Sequence, residues 1–220
     1  MEILAAYKAE QLLSKYVNVS RSILSQNIDQ ALNFAKYPSA LKLISKQALH
    51  KTEIKGVRIV HNKQDLIKQY GELLRTALNH TLHIEGILVQ DYKEGSELFV
   101  GIKKDPTFGH AIGLGIGGIL VEDIKDVQWR ICPIKDKDVQ SMLENLKFKH
   151  IITGTRGQKN NIKGLKKALI NLSNIPRKYP HLKEMDVNPL ILNDKQAVVV
   201  DARMPVGLVA IITGADESAA

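Results

Sequence analysis

The chain has 220 residues, 44% of them hydrophobic and 25% charged, with a formal net charge of +8 at pH 7. This length and composition predict a folded protein of one domain or two small ones, and they argue against a polar, disordered chain. The positive charge favours anionic ligands such as nucleotides, phosphorylated intermediates, nucleic acid or an acidic protein face, although with 5% aromatic residues a base-stacking platform is not expected.

The first part of the chain has the pattern of a small α+β lobe. Its N-terminal residues lack the charged region, apolar run and cleavage site of a signal peptide, and apolar residues between positions 3 and 16 have helical spacing. The runs SALKLIS and GVRIVH predict two strands, and Asn62 is a suitable N-cap for a helix that extends to His80. We expect this lobe to end near residue 84.

Two residues of this lobe have the chemistry to handle phosphate. Lys42 interrupts the first predicted strand, and its ammonium group can either meet the phosphates of a nucleotide or reach water from a strand end. His50 lies in a polar loop, where an imidazole can be a nucleophile, a base or a metal ligand, or can have no chemical role. The residues alone leave both questions open.

From Gly86 onward, short apolar runs alternate with turn-forming residues, which favours antiparallel strands. The runs are GILVQDY, ELFVGIKKD, HAIGLGIGGILVE and VQWRICPI. Two helices over roughly 136–147 and 160–178 and a hairpin with its turn at 193–195 follow. These elements predict a second α+β lobe over residues 85–204.

Two further features bear on the environment of the protein. Cys132 is the only cysteine, which excludes an internal disulfide and a metal site made of thiolates. The apolar run at 206–215 is too short to span a bilayer. We therefore expect a soluble, cytoplasmic protein in which residues 205–220 form a tail.

The glycine-rich segment GLGIGG has two open interpretations. Gly113, Gly115 and Gly117 alternate and Gly118 follows directly, so the segment does not fit the G-x-G-x-x-G dinucleotide pattern. Alternating glycines remove side chains from one face of a strand, which permits close approach of a ligand or of another backbone. A sharply bent strand is the other interpretation.

The C-terminal hairpin gathers oxygen-bearing side chains. If its turn is centred near Asn193 and Asp194, Asp186 and Asp201 lie roughly opposite one another, and Asn188 shares the face of Asp186. Such an oxygen-only group suits Mg²⁺, whereas a merely hydrated polar face is the simpler interpretation of the hairpin alone. The alternation predicts that three valines point into the core: Val187, Val198 and Val200.

The motifs occur in the order of a known family. Between about residues 8 and 204 the chain contains LKLISKQALHKTEIKGV, VGIKKDPTFGHAIGLGIGGILVEDIKDVQWRICPI, EMDVNPLIL and VVVDARM. These segments resemble the β subunit of ADP-forming acyl-CoA synthetases (acetate–CoA ligase, ADP-forming). That family has a strand ending in Lys-Ile, a loop of the type S-P-x-I-x-H-K-[ST]-[DE]-x-G-G-V, a VGxxRDPxFGP centre with a GLGG segment, and then ELDxNP and VDAR. Several linked motifs in order are more specific than any one of them.

The resemblance implies an α+β protein with the ATP-grasp fold, in which a nucleotide cleft lies between two α+β lobes, here 1–84 and 85–204. The phosphate loop at 50–57, the strand before it and the segment joining the lobes are implied to bind ATP or ADP. The implied nucleotide-binding residues are Lys42, Lys51, Gly56, Val57, Val89, Gln90, Asp91, Tyr92 and Glu97.

The resemblance also implies the chemistry. His50 matches a histidine that is phosphorylated in the β subunit, and Asp186 matches an acidic catalytic position. Asn188 and Asp201 match positions that bind Mg²⁺. The implied reaction converts acyl-CoA, ADP and phosphate to acid, ATP and CoA, with His50 carrying the phosphoryl group from an α-subunit histidine to MgADP. The implied partner is that α subunit, in an α₂β₂ assembly.

Departures from the family pattern keep an alternative open. Lys55 replaces a glycine, Lys104 an arginine and His110 a proline. The alternative is a non-catalytic basic scaffold or regulatory subunit that retains the fold, and the nucleotide lobe of a succinyl-CoA-synthetase-like enzyme is a related possibility that the His50 loop disfavours. A nucleic-acid binder has only the net charge in its favour. We expect neither a nucleic-acid nor a membrane partner.

Overall fold

A computed structural model describes residues 6–45, 56–118, 126–154 and 159–204. The described helices are α1 (Ala6–Leu13), α2 (Ile28–Phe34), α3 (Lys63–Asn79), α4 (Asp136–Asn145), α5 (Lys149–Thr153), α6 (Ile162–Ser173) and α7 (Ile175–Lys178). The described strands are β1 (Ser22–Ser25), β2 (Ser39–Ser45), β3 (Val57–Val60), β4 (Ile84–Asp91), β5 (Ser96–Asp105), β6 (Gly109–Ile116), β7 (Val127–Ile131), β8 (Glu184–Leu192), β9 (Ala197–Val199) and β10 (Ala202–Arg203).

These elements form two compact units, and their boundaries differ from the predicted split at residue 84. One unit, which we call the inserted unit, is Ser20–Lys93, and the main unit contains the described residues before and after it. The reason is pairing: β4 forms ladders with β1 and β2 and so belongs to the inserted unit. Helix α1 contributes Ala9 and Leu12 to the core of the main unit instead of to the first lobe.

In the described part of the inserted unit, a four-stranded antiparallel sheet packs with two helices. Its strand order is β1-β4-β2-β3. Asn62 caps α3 as predicted, because its side chain accepts a hydrogen bond from the N–H of Asp65. The same kind of cap, from Asn27 to Gln30, begins α2. Side chains from both helices and one sheet face form the core: Ala31, Leu41, Leu43, Val60, Leu66, Tyr70, Leu73, Ala77, Ile87 and Val89.

The main unit is an antiparallel sheet that buries one face against helices. Its strand order is β10-β8-β5-β6-β7, and β9 pairs with the other end of β8. Strand residues such as Val100, Ile112 and Val187 pack with helix residues such as Met142 and Leu169 in one core. The alternation of strand residues therefore turns the intervening positions of β5, β6 and β8 toward the other face. Among the described residues, no helix is both long and apolar enough to cross a membrane.

Candidate functional site

Lys42 is the buried cation of the inserted unit. It lies at the centre of β2, opposite Val57 of β3 and Leu88 of β4, and only 7% of its surface is exposed. Its neighbours Leu41 and Leu43 point into the helix-covered core, so Lys42 projects from the other face of the sheet. This position excludes a lysine that reaches water from a strand end. Ammonium groups are rarely buried in proteins unless polar or anionic groups meet them.

The predicted phosphate loop returns to the sheet beside Lys42. The carbonyl of Gly56 accepts a hydrogen bond of 2.8 Å from the N–H of Leu43, and Val57 then begins β3 directly opposite Lys42. The predicted site residues His50 and Lys51 lie outside the described residues.

The end of β4 gives its four predicted nucleotide residues different surroundings. Gln90 is 1% exposed and shares the face of Lys42, whereas the side chain of Val89 points into the core. Asp91 forms ion pairs with Arg21 (3.4 Å) and Lys93 (3.8 Å). The N–H of Tyr92, the next residue, donates to the carbonyl of Pro38 (3.2 Å). Gln90 therefore brings its side chain to the face of Lys42, whereas Val89 does not.

Arg21 is a residue that the sequence did not indicate. Its guanidinium carbon lies 3.9 Å from the centroid of the Phe34 ring, and one of its terminal nitrogens donates to the Phe34 carbonyl at 2.8 Å. It therefore links α2 to Asp91 at the end of β4. No local signal could have identified it, because its ion-pair partner lies 70 residues further along the chain.

In the main unit, the hairpin has a register two residues from the predicted one. Asn188 N–H donates to the carbonyl of Asp201 at 3.1 Å, and Asp186 lies opposite Arg203 instead of Asp201. The cause is the turn, in which the N–H of Asn193 donates to the carbonyl of Gln196 at 3.0 Å. The turn centre lies one residue later than assumed. Because a shift by two residues does not exchange faces, the three predicted oxygen donors still share one face.

Asn188 and Glu97 meet at the glycine that ends the described part of the glycine segment. The N–H of Gly118 donates to Asn188 Oδ1 at 2.8 Å, and Asn188 Nδ2 donates over a longer 3.5 Å to the Gly118 carbonyl. A Cβ atom at Gly118 would overlap Glu97 Oε2. The backbone of Gly118 therefore joins a predicted nucleotide residue to a predicted metal residue.

Asp186 has an electrostatically mixed environment. Burial raises the pKa of its carboxyl above the usual range, and the negative charge of Glu184 adds to the shift. Lys103 and Arg203 act in the opposite direction. Gly101, opposite Asp186 on β5, leaves the carboxylate room, because a Cβ atom there would lie 3.2 Å from Asp186 Oδ1. The ring of Phe99 is still closer to that position, at 2.5 Å, so Gly101 accommodates both the ring and the carboxylate.

The other glycines of the segment permit close approach within the chain. Gly113 lies against the indole of Trp129, and a Cβ atom on Gly115 would lie 2.7 Å from the carbonyl oxygen of Asp126. A Cβ atom on Gly117 would lie 2.5 Å from the carbonyl carbon of Leu98. Because Gly113 and Gly115 belong to β6, which pairs with β5 and β7, the segment up to Ile116 is a strand without a dinucleotide loop.

Two departures from the family pattern have structural contacts. Lys104 Nζ donates to the carbonyl of Pro180 at 2.9 Å, and His110 Nε2 donates to that of Leu182 at 2.7 Å. Both contacts attach the β5–β6 hairpin to the segment that leads into β8. They give the lysine and the histidine at these positions a structural role in the main unit.

The donor set of the main unit fits a magnesium ion held by few protein ligands. Asn188 and Asp201 supply neutral and anionic oxygens from directly paired positions, with Asp186 on the same face. Within the described ranges, no group of three or more His, Cys, Asp or Glu side chains could hold a metal. Mg²⁺ commonly binds one or two carboxylates and completes its shell with substrate phosphates and water.

The two sheets, with a buried lysine on one and oxygen donors on the other, are those of an ATP-grasp protein. The chain belongs to the ATP-grasp domain family, whose model matches residues 1–206, and within it to the group of ADP-forming acetate–CoA ligase β subunits. The β subunit of acetate–CoA ligase (ADP-forming) II from Pyrococcus furiosus is 38% identical over 210 residues, which cover 90% of this chain and 89% of the relative. The resemblance and the fold predicted from sequence are therefore confirmed.

Longer relatives and solved structures agree. Acetate–CoA ligase (ADP-forming) I from Archaeoglobus fulgidus is 36% identical over 84% of this chain, which spans 28% of that longer protein. Acetyl-coenzyme A synthetase 1 from Candidatus Korarchaeum cryptofilum, solved with coenzyme A and Ca-AMPCP, has a TM-score of 0.87 at 33% identity, covering 92% of this chain and 93% of that one. Another structure of that enzyme, solved with coenzyme A and Mg-AMPPCP, has a TM-score of 0.79 at 32% identity, with 92% of each chain covered. Its phosphohistidine segment is described as pointing towards the nucleotide-binding site.

Proposed function

We propose that this chain is the nucleotide-binding β subunit of an ADP-forming acyl-CoA synthetase. The subunit takes part in the reversible conversion of acyl-CoA, ADP and phosphate to acid, ATP and CoA. The observation that carries the proposal is Lys42, a buried cation beside the point where the His50-bearing segment rejoins the sheet at Gly56. A buried ammonium group on the sheet face opposite the helix-covered core is suited to phosphate oxygens.

The inserted unit supplies the positive charge in this proposal. Lys42 binds the phosphates of ADP, and the backbone at Gly56 and Val57 borders them. Gln90, on the same face as Lys42, lies next to the nucleotide. Phosphoryl transfer requires little covalent participation by the protein, because in-line positioning and neutralised oxygens supply most of the rate.

The main unit supplies the oxygen donors. Asn188 and Asp201 would hold Mg²⁺, with Asp186 and Glu97 nearby on the same sheet. The ion, when bound, neutralises charge on the phosphates of the nucleotide. A relative at 32% identity has been solved with Mg-AMPPCP, which supports this assignment.

His50 is the proposed phosphoryl carrier. A partner histidine, phosphorylated from acyl phosphate, transfers its phosphoryl group to His50. The bond from phosphorus to His50 then breaks as a bond forms to the terminal phosphate oxygen of ADP, which gives ATP and restores the imidazole. The phosphohistidine segment of the Korarchaeum relative supports this role.

The proposed partner is an α subunit that binds CoA and forms the acyl phosphate, in an α₂β₂ assembly. Two relatives of nearly the same length as this chain are named as β subunits, and another carries the matching region as 28% of a longer chain. Both arrangements support a second module that acts with this one.

The proposal is tested by His50→Ala in the complex reconstituted with the α subunit. We expect ATP formation from acetyl-CoA, ADP and phosphate to fall to the background of a mixture without enzyme, because the carrier nitrogen is lost. The control is His80→Ala, an exposed histidine directly after α3, which should retain the parent rate. Transfer of ³²P from acyl phosphate to the chain gives a second measurement.

Two results would contradict the proposal in different ways. An undiminished rate in His50→Ala would exclude the histidine relay. A parent complex that binds ADP yet forms no ATP would instead favour the non-catalytic scaffold that retains the fold.

A further inference from the structure

Gly118 is the point at which backbone from the end of β6 contacts two side chains of the main-unit site. Its N–H donates to Asn188 Oδ1 at 2.8 Å, and its carbonyl faces Asn188 Nδ2 at 3.5 Å. The N–H and the carbonyl of one residue, which belong to consecutive peptide groups, thus contact both ends of the same carboxamide. Because a carboxamide has distinct donor and acceptor ends, this double contact defines which end is which.

The same residue limits the position of Glu97. A Cβ atom on Gly118 would overlap the Oε2 atom of that carboxylate, so the carboxylate occupies the space that a side chain would need. The preceding peptide is also fixed, because the N–H of Gly117 donates to the Glu97 carbonyl at 2.7 Å. Gly118 itself has φ +75°, in the region where residues with a Cβ atom are strained.

We propose that Gly118 is a positioning residue for the metal-binding oxygen of Asn188. Its N–H occupies one lone pair of Asn188 Oδ1 and directs the amide nitrogen toward its own carbonyl, which leaves the second lone pair of the oxygen for a divalent cation. The absence of a side chain lets the Glu97 carboxylate remain beside this carboxamide. The inference rests on the proposed function, since it deepens the assignment of Asn188 as a metal ligand.

Gly109 provides a matched control for the backbone. It has φ +80°, almost the same as Gly118, and a Cβ atom there would meet nothing within 4 Å. An alanine at either position therefore brings similar left-handed strain, but only the alanine at 118 displaces the Glu97 carboxylate and places the strain on the residue that binds Asn188. The two variants separate positioning from strain.

The first experiment measures how strongly Mg²⁺ improves ADP binding to the full chain. Calorimetric titrations with and without Mg²⁺ give this factor for the parent, Gly118→Ala and Gly109→Ala. We expect the factor to fall about 10-fold or more in Gly118→Ala, as is typical when a residue that orients a metal ligand is altered. In Gly109→Ala it should equal the parent value.

The second measurement needs no metal. In the metal-free protein labelled with ¹⁵N, the side-chain NH₂ signal of Asn188 is identified by its loss in Asn188→Asp. This signal should move in Gly118→Ala and stay in place in Gly109→Ala. A Gly118→Ala protein in which it does not move overturns the inference.

The remaining outcomes also decide the question. An unchanged Mg²⁺ factor in Gly118→Ala, or an equal loss in both glycine variants, overturns the positioning role. A parent without any Mg²⁺ gain contradicts the proposed metal site, and the NH₂ signal then decides separately whether Gly118 orients Asn188. If Gly118→Ala does not fold, the same alanine is introduced together with Glu97→Ala, which removes the overlapping carboxylate, and is compared with Glu97→Ala alone.

Discussion

The two units use similar sheets for opposite electrostatic purposes. Each buries one face of an antiparallel sheet against helices, and each carries polar side chains on positions that point away from that core. In the inserted unit the central polar residue is a cation, Lys42. In the main unit the corresponding positions carry carboxylate and carboxamide oxygens, namely Asp186, Asn188 and Asp201.

The units also differ in how they hold these groups. Lys42 lies within a regular ladder, between strands on both sides, so ordinary pairing is enough to place it. The donors of the main unit depend on glycine: Gly101 lies opposite Asp186, and Gly118 binds Asn188. A lysine side chain is long enough to present its charge from a regular strand. The short side chains of Asp and Asn are instead positioned by neighbouring backbone, which glycine allows to approach closely.

The largest effect in this comparison is expected from the inserted unit. Lys42→Met keeps an unbranched side chain but removes the charge. In the absence of Mg²⁺ it should weaken ADP binding about 10- to 100-fold, because one charge-assisted hydrogen bond to phosphate is lost. The factor by which Mg²⁺ improves binding should persist. Calorimetric titration measures both quantities, and Lys68→Met, at an exposed position of α3, is the control. Equal affinities in the two variants would disprove contact between Lys42 and phosphate.

The main unit should show the reverse pattern. Asp201→Ala is expected to lower the factor by which Mg²⁺ improves ADP binding about 10-fold or more. Metal-free ADP binding should be unchanged or slightly stronger, because a negative charge is removed. The control is Asp194→Ala in the exposed hairpin turn. If Asp201→Ala weakens metal-free binding as much as Lys42→Met does, the division between a phosphate-binding unit and a metal-binding unit is wrong.

Sequence patterns predicted each unit only in part; in the inserted unit they indicated β2, β3 and α3 but missed β1 and α2. Asn62 as a helix cap and Lys42 within an apolar strand are local features, and both were found in the structure. The lobe boundary at residue 84 was misplaced, because strand partners cannot be read from one strand alone. Arg21 escaped notice for the same reason, since it pairs with a distant residue.

The hairpin shows where simple alternation fails. Val187 lies in the helix-covered core as predicted, and Val199 also belongs to it. Val198 is buried outside this cluster, and Val200 is only half-buried. A register irregularity lies between Leu98 and Val100 on β5, opposite this part of β8, and it changes which residues face inward. A strict period of two cannot anticipate such a bulge. The oxygen donors keep a common face because Asp186 and Asn188 flank the core residue Val187 and Asp201 precedes the core residue Ala202.

The smallest expected effect concerns the pH dependence of stability at Asp186. Burial and the charge of Glu184 raise the pKa of Asp186 in the folded protein. As pH rises above the ordinary value near 3.8, the unfolded state therefore releases the proton while the folded state still holds it. The free energy of unfolding therefore decreases through this window, and the decrease is complete once pH exceeds the folded-state pKa. Lys103 and Arg203 limit the size of the decrease.

Asp186→Asn removes the titration, so its free energy of unfolding relative to the parent should increase from acid to neutral pH. Urea unfolding across that range measures the difference, with Asp194→Asn in the exposed turn as the control. A difference that falls with rising pH would mean that Lys103 and Arg203 outweigh burial, and that this carboxylate is stabilised by its cations without a bound metal ion.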